Sequence, residues 1–250
     1  MESIFLETID QFNHDLRRIL GNNYIDILLY GSSTINSFTP HSGDIDFVVL
    51  VNENLNDNEI GLIFDLHDYY RTKELMNLAY QLEGMYYPIS VLKDNTLGFI
   101  GCYIGTGRKG WKKITKFQNN VFDLIQMKNN GISYFKKKYD IYEPNREEVR
   151  TFIVNEINRI EKLIDEKSIP SHFVVQFVAR TIYYIDNEKI GSKRESCERY
   201  SEKKGKNEYI KVCGEVKDNY KETEEKYQNH RGIAKEAIKD LCEMVELKEW

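Results

Sequence analysis

The sequence predicts an α/β (α+β) domain with a small mixed sheet, followed by an all-α helical bundle domain. Two short runs rich in Ile, Leu and Val, at 25–30 and 45–51, are typical of buried strands. Residues 3–20 repeat apolar side chains every three or four positions, as an amphipathic helix does. From residue 146 onward the same helical period dominates. These three observations give the fold class.

The first domain alternates helices and strands. After the helix at 3–20, Gly, Ser and Pro separate the two apolar runs, so these are two strands joined by a loop. Tyr86–Leu92 is a further short apolar run, and we expect it to lie beside the second strand. The remaining elements expected here are helices at 59–82 and 119–130.

The second domain is predicted to be wholly helical. A polar and aromatic run to Tyr142 and the pair Glu143-Pro144 are typical of a linker. The apolar stripes that follow predict four or five helices packed as a bundle. We therefore expect domains at 1–142 and 143–250, with the helical domain completing a substrate cleft.

Composition excludes several classes of protein. The 250 residues are 41% hydrophobic and 30% charged, which is typical of a globular protein, and the net charge of -5 does not suit a nucleic-acid partner. No apolar run is long enough to span a membrane, and the first residues lack the pattern of a secretory signal. The four scattered cysteines predict buried or free thiols in a reducing cytoplasm. We expect a cytoplasmic monomer or homodimer.

The most informative stretch joins the first two strands. The first strand opens into Gly31-Ser32, and the second begins with Asp44-Ile45-Asp46. Because side chains alternate along a strand, both carboxylates point to one face, roughly 6 to 7 Å apart along it. Burying two carboxylates is costly without a cation, and Mg²⁺ takes one or two carboxylates completed by water and phosphate. Gly31 lets the backbone approach a phosphate, and Ser32 offers a hydroxyl and an N–H.

The stretch therefore predicts a metal–nucleotide site. The alternative is an ordinary Gly-Ser turn followed by a strand with two solvated acids. The ordered combination of both motifs between two apolar strands favours the site.

These residues resemble a known superfamily. Gly31-Ser32, eleven intervening residues and Asp44-x-Asp46 resemble the signature of polymerase-beta-like nucleotidyltransferases. LLYGSS and PHSGDIDFVVLV are most similar to bacterial aminoglycoside nucleotidyltransferases of the streptomycin/spectinomycin adenylyltransferase type. The resemblance implies Mg²⁺-dependent transfer of AMP from ATP, or of another nucleotide, to a hydroxyl of a small molecule such as an aminoglycoside. Asp44 and Asp46 would bind Mg²⁺, and Gly31 and Ser32 would bind the phosphates.

A second resemblance lies in the helical domain. Residues 179–200, ARTIYYIDNEKIGSKRESCERY, are similar to the segment of these adenylyltransferases that carries an ATP-contacting lysine. That lysine falls on Lys193, which would neutralise the charge leaving with pyrophosphate. An ordinary solvent-exposed lysine is the alternative.

The glutamate that this family carries on its third strand is not found at the expected position. Members of the family carry a glutamate at the start of the strand after the metal-binding strand, and here this position falls on or next to Pro88. Three interpretations stay open. The base is recruited from elsewhere, such as Glu83 or a carboxylate of the second domain; the acceptor is acidic enough to need no strong base; or the protein is a catalytically weakened relative. The last interpretation makes a nucleotide-binding regulatory protein the rival function.

A glycine-rich segment, GCYIGTGRKGWKK at 101–113, is the last candidate. It would form a mobile loop over the triphosphate, in which Arg108 and Lys109 contact phosphates and Trp111 stacks on a base or sugar. The alternative is a surface turn with solvated lysines.

Overall fold

The computed structural model describes residues 3–35, 44–73, 82–105, 111–117, 121–214 and 224–247. The chain divides into two compact units, 1–143 and 144–250. This boundary lies one residue beyond the one expected from the linker.

The first unit is built on a six-stranded mixed sheet, as expected. Among the described strands, β2 and β3 pair in parallel, and the other neighbouring strands are antiparallel. The strand order is β5-β4-β3-β2-β1-β6. The strands are β1 Tyr24–Tyr30, β2 Ile45–Val51, β3 Leu82–Pro88, β4 Gly101–Ile104, β5 Lys112–Ile114 and β6 Ile132–Ser133.

Four described helices belong to this unit: α1 Ser3–Leu20, α2 Asp57–Lys73, α3 Ser90–Lys93 and α4 Val121–Asn130. Helix α1 is confirmed over its whole predicted length. Helix α2 lies in the crossover between β2 and β3, because parallel strands need a long connection. Residues 74–81 of the helix predicted at 59–82 lie outside the described residues, and Leu82 belongs to β3 instead.

The predicted third strand is wrong in both bounds. It was expected at 86–92, but β3 begins at Leu82 and ends at Pro88, and Ser90 starts α3. Glu83 and Gly84 interrupt the apolar run and so conceal the first half of the strand. Gly84 fits there because β2 lies very close: a Cβ at this position would stand 2.2 Å from the Phe47 carbonyl oxygen.

Apolar side chains cover both faces of the sheet. Along β2, Phe47 and Val49 face one core, which includes residues of α1 and α2, while Val48 and Leu50 face the other, which includes residues of α4. This division follows from the two-residue period of a strand. Every residue on β2 and β3 can therefore be assigned to one face.

A buried carboxylate fixes the edge of the sheet. Asp26 in β1 is fully buried, and it accepts hydrogen bonds from Ser133 Oγ at 2.5 Å and from Tyr139 Oη at 2.7 Å. The backbone N–H groups of Ile27 and Phe135 donate to the same side chain, at 2.8 and 3.3 Å. These bonds attach β6 and the segment after it to β1.

The second unit is helical throughout its described residues, which confirms the predicted all-α domain. Asn145 starts its first helix with a capping box completed by Glu148. Helix α6 packs against both α7 and α9. The helices are α5 Arg146–Asp165, α6 Ser171–Asn187, α7 Lys193–Lys204, α8 Glu208–Gly214 and α9 Glu224–Leu247.

Two further expectations can be compared with the described residues. Cys102 and Cys242 are free thiols, but Cys197 in α7 is disulfide-bonded, so the expectation of four thiols is wrong. Within the described ranges, no helix has the length and apolar character needed to cross a bilayer.

Candidate functional site

The site is organised around the turn that follows β1. Gly31 has a left-handed backbone with φ of 69° and begins a 3₁₀ turn over Gly31–Ser33. A Cβ on Gly31 would stand 2.0 Å from Asp46 Oδ2 and 2.8 Å from Asp46 Cγ. The backbone of the turn therefore lies directly against the Asp46 carboxylate, and only glycine permits this approach.

Three side-chain hydrogen bonds hold the turn in shape. Ser33 Oγ donates to the carbonyl oxygen of Tyr30 at 2.9 Å, and Thr34 Oγ1 donates to that of Gly31 at 3.0 Å. Ser32 Oγ lies 3.4 Å from the carbonyl oxygen of Asp44 and donates to it. The structure thus brings together Gly31, Ser32 and both predicted metal-binding aspartates.

A third carboxylate lies on the neighbouring strand. In the parallel ladder Asp46 is the register partner of Glu83, so the two side chains share a face of the sheet. Both are half-buried, whereas the residues flanking them on β2 and β3 are buried. Glu83 stands next to Asp46 at the same end of the parallel pair.

This register corrects the position expected for the strand glutamate. Because β3 begins at Leu82, its second residue is Glu83, and a glutamate is present at the start of this strand. Pro88 pairs with Val51 at the opposite end of β2. The expected departure near Pro88 arose from placing the start of the strand four residues too late.

Tyr103 is a hydrogen-bond partner of Glu83. Its hydroxyl donates a hydrogen bond to Glu83 Oε1. Burial raises the pKa of Tyr103 most, and the hydrogen bond to Glu83 and the charges of Glu83, Asp44 and Asp46 raise it further. Tyr103 therefore contacts one carboxylate and responds to the charge of two more, and the sequence did not single it out.

A fourth carboxylate lies at the start of α4. The pKa of the fully buried Tyr30 is raised well above its ordinary value, first by burial and then by the charges of Asp123, Asp46 and Glu83, with Tyr87 contributing as well. Asp123 stands in the first turn of α4, where an acidic residue is common in any helix. That ordinary position explains why sequence reasoning missed it.

Trp111 lies elsewhere. Its indole packs against the core on the other face of the sheet, with ring centroids 5.8 Å from Phe64 and 5.9 Å from His67. The Arg71 guanidinium lies over the indole at 4.8 Å, and Trp111 Nε1 donates to the Gly105 carbonyl at 3.1 Å. The structure does not bring Trp111 together with Asp46 and Glu83. Arg108 and Lys109 lie outside the described residues.

Lys193 belongs to the second unit. It is exposed and is the first residue of α7, where Ser192 caps the helix by accepting a hydrogen bond from the Glu195 N–H at 3.1 Å. Its contact with nucleotide phosphates stays a prediction.

Comparison with known proteins identifies the family. The model of the nucleotidyltransferase domain matches residues 9–184. The chain belongs to the nucleotidyltransferase domain family. A search of curated proteins finds no match to the sequence.

A solved structure agrees with the fold of this nucleotidyltransferase. The crystal structure of spectinomycin adenyltransferase AAD(9) from Enterococcus faecialis, with ATP and spectinomycin, is similar with a TM-score of 0.68 and 18% identity. The similarity covers 94% of this chain and 99% of that one. At this identity the comparison supports the shared fold.

The donor set of this nucleotidyltransferase fits a magnesium ion shared with a substrate. Within the described ranges no group of three or more His, Cys, Asp or Glu side chains is placed to hold a metal by itself. Mg²⁺ is usually bound by one or two carboxylates together with substrate phosphates. Asp44 and Asp46 supply such carboxylates, and the backbone of Gly31 lies directly against the carboxylate of Asp46.

Proposed function

We propose that this nucleotidyltransferase transfers AMP from ATP to a hydroxyl group of a small molecule and releases pyrophosphate in a magnesium-dependent reaction. One observation carries the proposal: Asp46 lies between the backbone of Gly31 and the register-paired Glu83. In the proposed reaction this turn would approach a phosphate, Asp46 would bind the metal and Glu83 would accept a proton.

The bond changes assign a role to Glu83. The hydroxyl oxygen of the acceptor forms a bond with the α-phosphorus of ATP, and the bond from that phosphorus to the oxygen bridging to the β-phosphate breaks. Pyrophosphate leaves with the electron pair, and the hydroxyl proton passes to the Glu83 carboxylate. A positioned general base of this kind contributes ~10² to 10⁴-fold to the rate.

The remaining residues bind and orient the triphosphate. Gly31 and Ser32 would hold phosphate oxygens through the backbone and hydroxyl of the turn. Asp44 and Asp46 would hold Mg²⁺, which when bound neutralises the charge of the phosphates and keeps the reacting groups in line. Lys193 would neutralise the charge that leaves with pyrophosphate.

The acceptor we propose is an aminocyclitol or aminoglycoside. The similar AAD(9) structure contains spectinomycin. The amino groups of such a molecule are cationic, and Asp44, Glu83 and Asp123 give this end of the sheet negative charge in addition to Asp46. Electrostatic attraction of this kind favours a cationic acceptor.

The direct test measures pyrophosphate release by the purified full chain with ATP, Mg²⁺ and a panel that includes spectinomycin and streptomycin. We expect release of pyrophosphate and a product whose mass has increased by one AMP unit. Asp46→Asn should lower kcat by about 10² or more, since preorganised electrostatic stabilisation supplies the main part of such a rate. Asp57→Asn is the matched control, because Asp57 is an exposed carboxylate paired with Lys113 in the same unit.

Two results would contradict the proposal. Turnover that is equal in Asp46→Asn and the wild type would remove the role of the aspartate pair. ATP binding without product for any acceptor would support the rival, a nucleotide-binding regulatory protein. The absence of a glutamate at the start of the third strand motivates that rival, whereas Glu83 is the second residue of β3.

A further inference from the structure

Tyr103 stands where it can control Glu83. In the antiparallel ladder between β3 and β4, Tyr103 is the register partner of Met85. Met85 lies two residues after Glu83, so all three side chains share one face of the sheet. Diagonal neighbours across such a ladder lie within reach of long and aromatic side chains, and the Tyr103 hydroxyl does reach Glu83 Oε1.

We propose that Tyr103 is a positioning residue: its hydroxyl holds Glu83 Oε1, so that the second carboxylate oxygen is directed to the acceptor hydroxyl. The catalytic consequence rests on the proposed function, whereas the hydrogen bond itself does not. A carboxylate side chain has several rotatable bonds, and a fixed donor on one oxygen removes most of that freedom.

The tyrosine ring is itself restrained. It is half-buried, and a Cβ on Gly105 would stand 3.2 Å from both its hydroxyl oxygen and its Cε1, so the backbone of Gly105 lies against the ring. Lys112 lies on β5, and its ammonium group is 5.8 Å from the centroid of the Tyr103 ring. Any larger residue at position 105 would push on the phenol.

The buried Arg71 side chain holds the backbone near Tyr103 and near Glu83 from the opposite face of the sheet. Arg71 Nη2 donates to the Gly105 carbonyl at 2.9 Å and to the Leu82 carbonyl at 3.3 Å. Gly105 lies against Tyr103, and Leu82 immediately precedes Glu83. The Arg71 side chain, which is 2% exposed, therefore holds the backbone next to both Tyr103 and Glu83.

The phenol stays a donor under ordinary conditions. Burial, then the contact with Glu83 and the charges of Asp44 and Asp46, raise the pKa of Tyr103 above that of an ordinary tyrosine. The hydroxyl therefore remains protonated at neutral pH.

The kinetic test uses Tyr103→Phe, which keeps the ring and removes only the hydroxyl. We expect kcat with spectinomycin or another acceptor to fall about 10-fold, while KM for ATP changes less than about twofold, because misplaced reacting groups slow chemistry without weakening binding. Tyr134→Phe is the matched control, since Tyr134 Oη also donates to a carboxylate, Asp10 Oδ1 at 2.8 Å. In a Glu83→Gln background the loss of the hydroxyl should change kcat less than about twofold.

A second measurement needs no turnover. In protein labelled with ¹³C at tyrosine Cζ, the Tyr103 signal is assigned by its absence in Tyr103→Phe. We expect Glu83→Gln to shift this signal and Asp57→Asn to leave it in place. The inference would be overturned if the Tyr103 signal did not move in Glu83→Gln. It would also be overturned if kcat of Tyr103→Phe equalled that of the wild type. A wild type without turnover would overturn the proposed function instead, and the NMR response would still decide whether Glu83 holds the phenol.

Discussion

Gly31 and Asp46 are in such close contact that a single methyl group on Gly31 would overlap the carboxylate, at 2.0 Å from Oδ2. The same glycine has a left-handed backbone, so two independent constraints act on one position. Gly21 shares only one of them: its φ is 52°, and a Cβ there would have no heavy atom within 4 Å. A comparison of substitutions at Gly31 and Gly21 therefore separates the cost of the backbone conformation from the cost of displacing a carboxylate.

Gly31→Ala should lose both stability and activity. The left-handed backbone costs a non-glycine residue roughly 1–2 kcal/mol, and displacement of Asp46 should lower kcat/KM about 10²-fold or more. Gly21→Ala should lose similar stability and keep full activity. Urea unfolding and pyrophosphate release measure the two effects, and equal activity losses in both variants would show that Asp46 is not displaced.

Trp111→Phe should weaken the fold and leave nucleotide affinity unchanged. The substitution removes the hydrogen bond to the Gly105 carbonyl and places a smaller, more weakly interacting ring under the Arg71 guanidinium. We expect a loss of about 1–3 kcal/mol in the free energy of unfolding and a Kd for ATP within about twofold of the wild type. A stable variant with a Kd for ATP raised about 10-fold would restore the predicted stacking on a base, as titration calorimetry would reveal.

Lys193→Ala should lower kcat/KM for ATP about 10-fold, which corresponds to one lost charge-assisted hydrogen bond. Lys189→Ala is the control, because Lys189 is also an exposed lysine and lies just before α7. Steady-state kinetics over a range of ATP concentrations measures both variants. If the two behave alike, Lys193 is an ordinary surface lysine.

His67 should make stability depend on pH. Burial, together with the charge of Arg71, lowers its pKa from 6.5 to about 3, while Nε2 contacts Tyr86 Oη at 2.7 Å. The unfolded chain therefore binds this proton at higher pH than the folded chain, so the contribution is fully present above pH 6.5 and is lost as pH falls toward 3.

The measurement compares urea unfolding of the wild type and His67→Phe at several pH values. In the wild type, the free energy of unfolding should fall more steeply in this acidic range, by up to about 1.4 kcal/mol per pH unit. The exposed His14, replaced in the same way, should keep the wild-type slope. Parallel slopes for His67→Phe and the wild type would mean that the buried imidazole titrates normally.

The sequence predicted those parts of the site that local pattern determines. The uninterrupted apolar run at 45–51 predicts the bounds of β2, which are Ile45–Val51. Asp44 precedes this strand, so the shared face expected for Asp44 and Asp46 stays a prediction. The position of Glu83 at the start of β3 could not be predicted, because Glu83 and Gly84 interrupt the apolar pattern of the strand. Gly84 is needed there for close packing against Phe47.

Other features of the site depend on how the strands align in the sheet, and the local periodicity of the sequence does not reveal that alignment. The contact between Tyr103 and Glu83 joins residues 20 apart across two strands. The glycine-rich, cationic segment before Trp111 predicts that its ring stacks on a base or sugar. Its ring packs instead on the face of the sheet opposite to Asp46.

The buried Asp26 carboxylate has a consequence for synthesis of the polypeptide. Its side-chain partners Ser133 and Tyr139 follow it by 107 and 113 residues. A nascent chain that has not yet emerged as far as residue 133 leaves this acid without those donors and leaves the outer edge of β1 open to other strands. Cotranslational folding of the first unit must therefore wait for its last residues, and a ribosome that pauses before them should expose a target for chaperones.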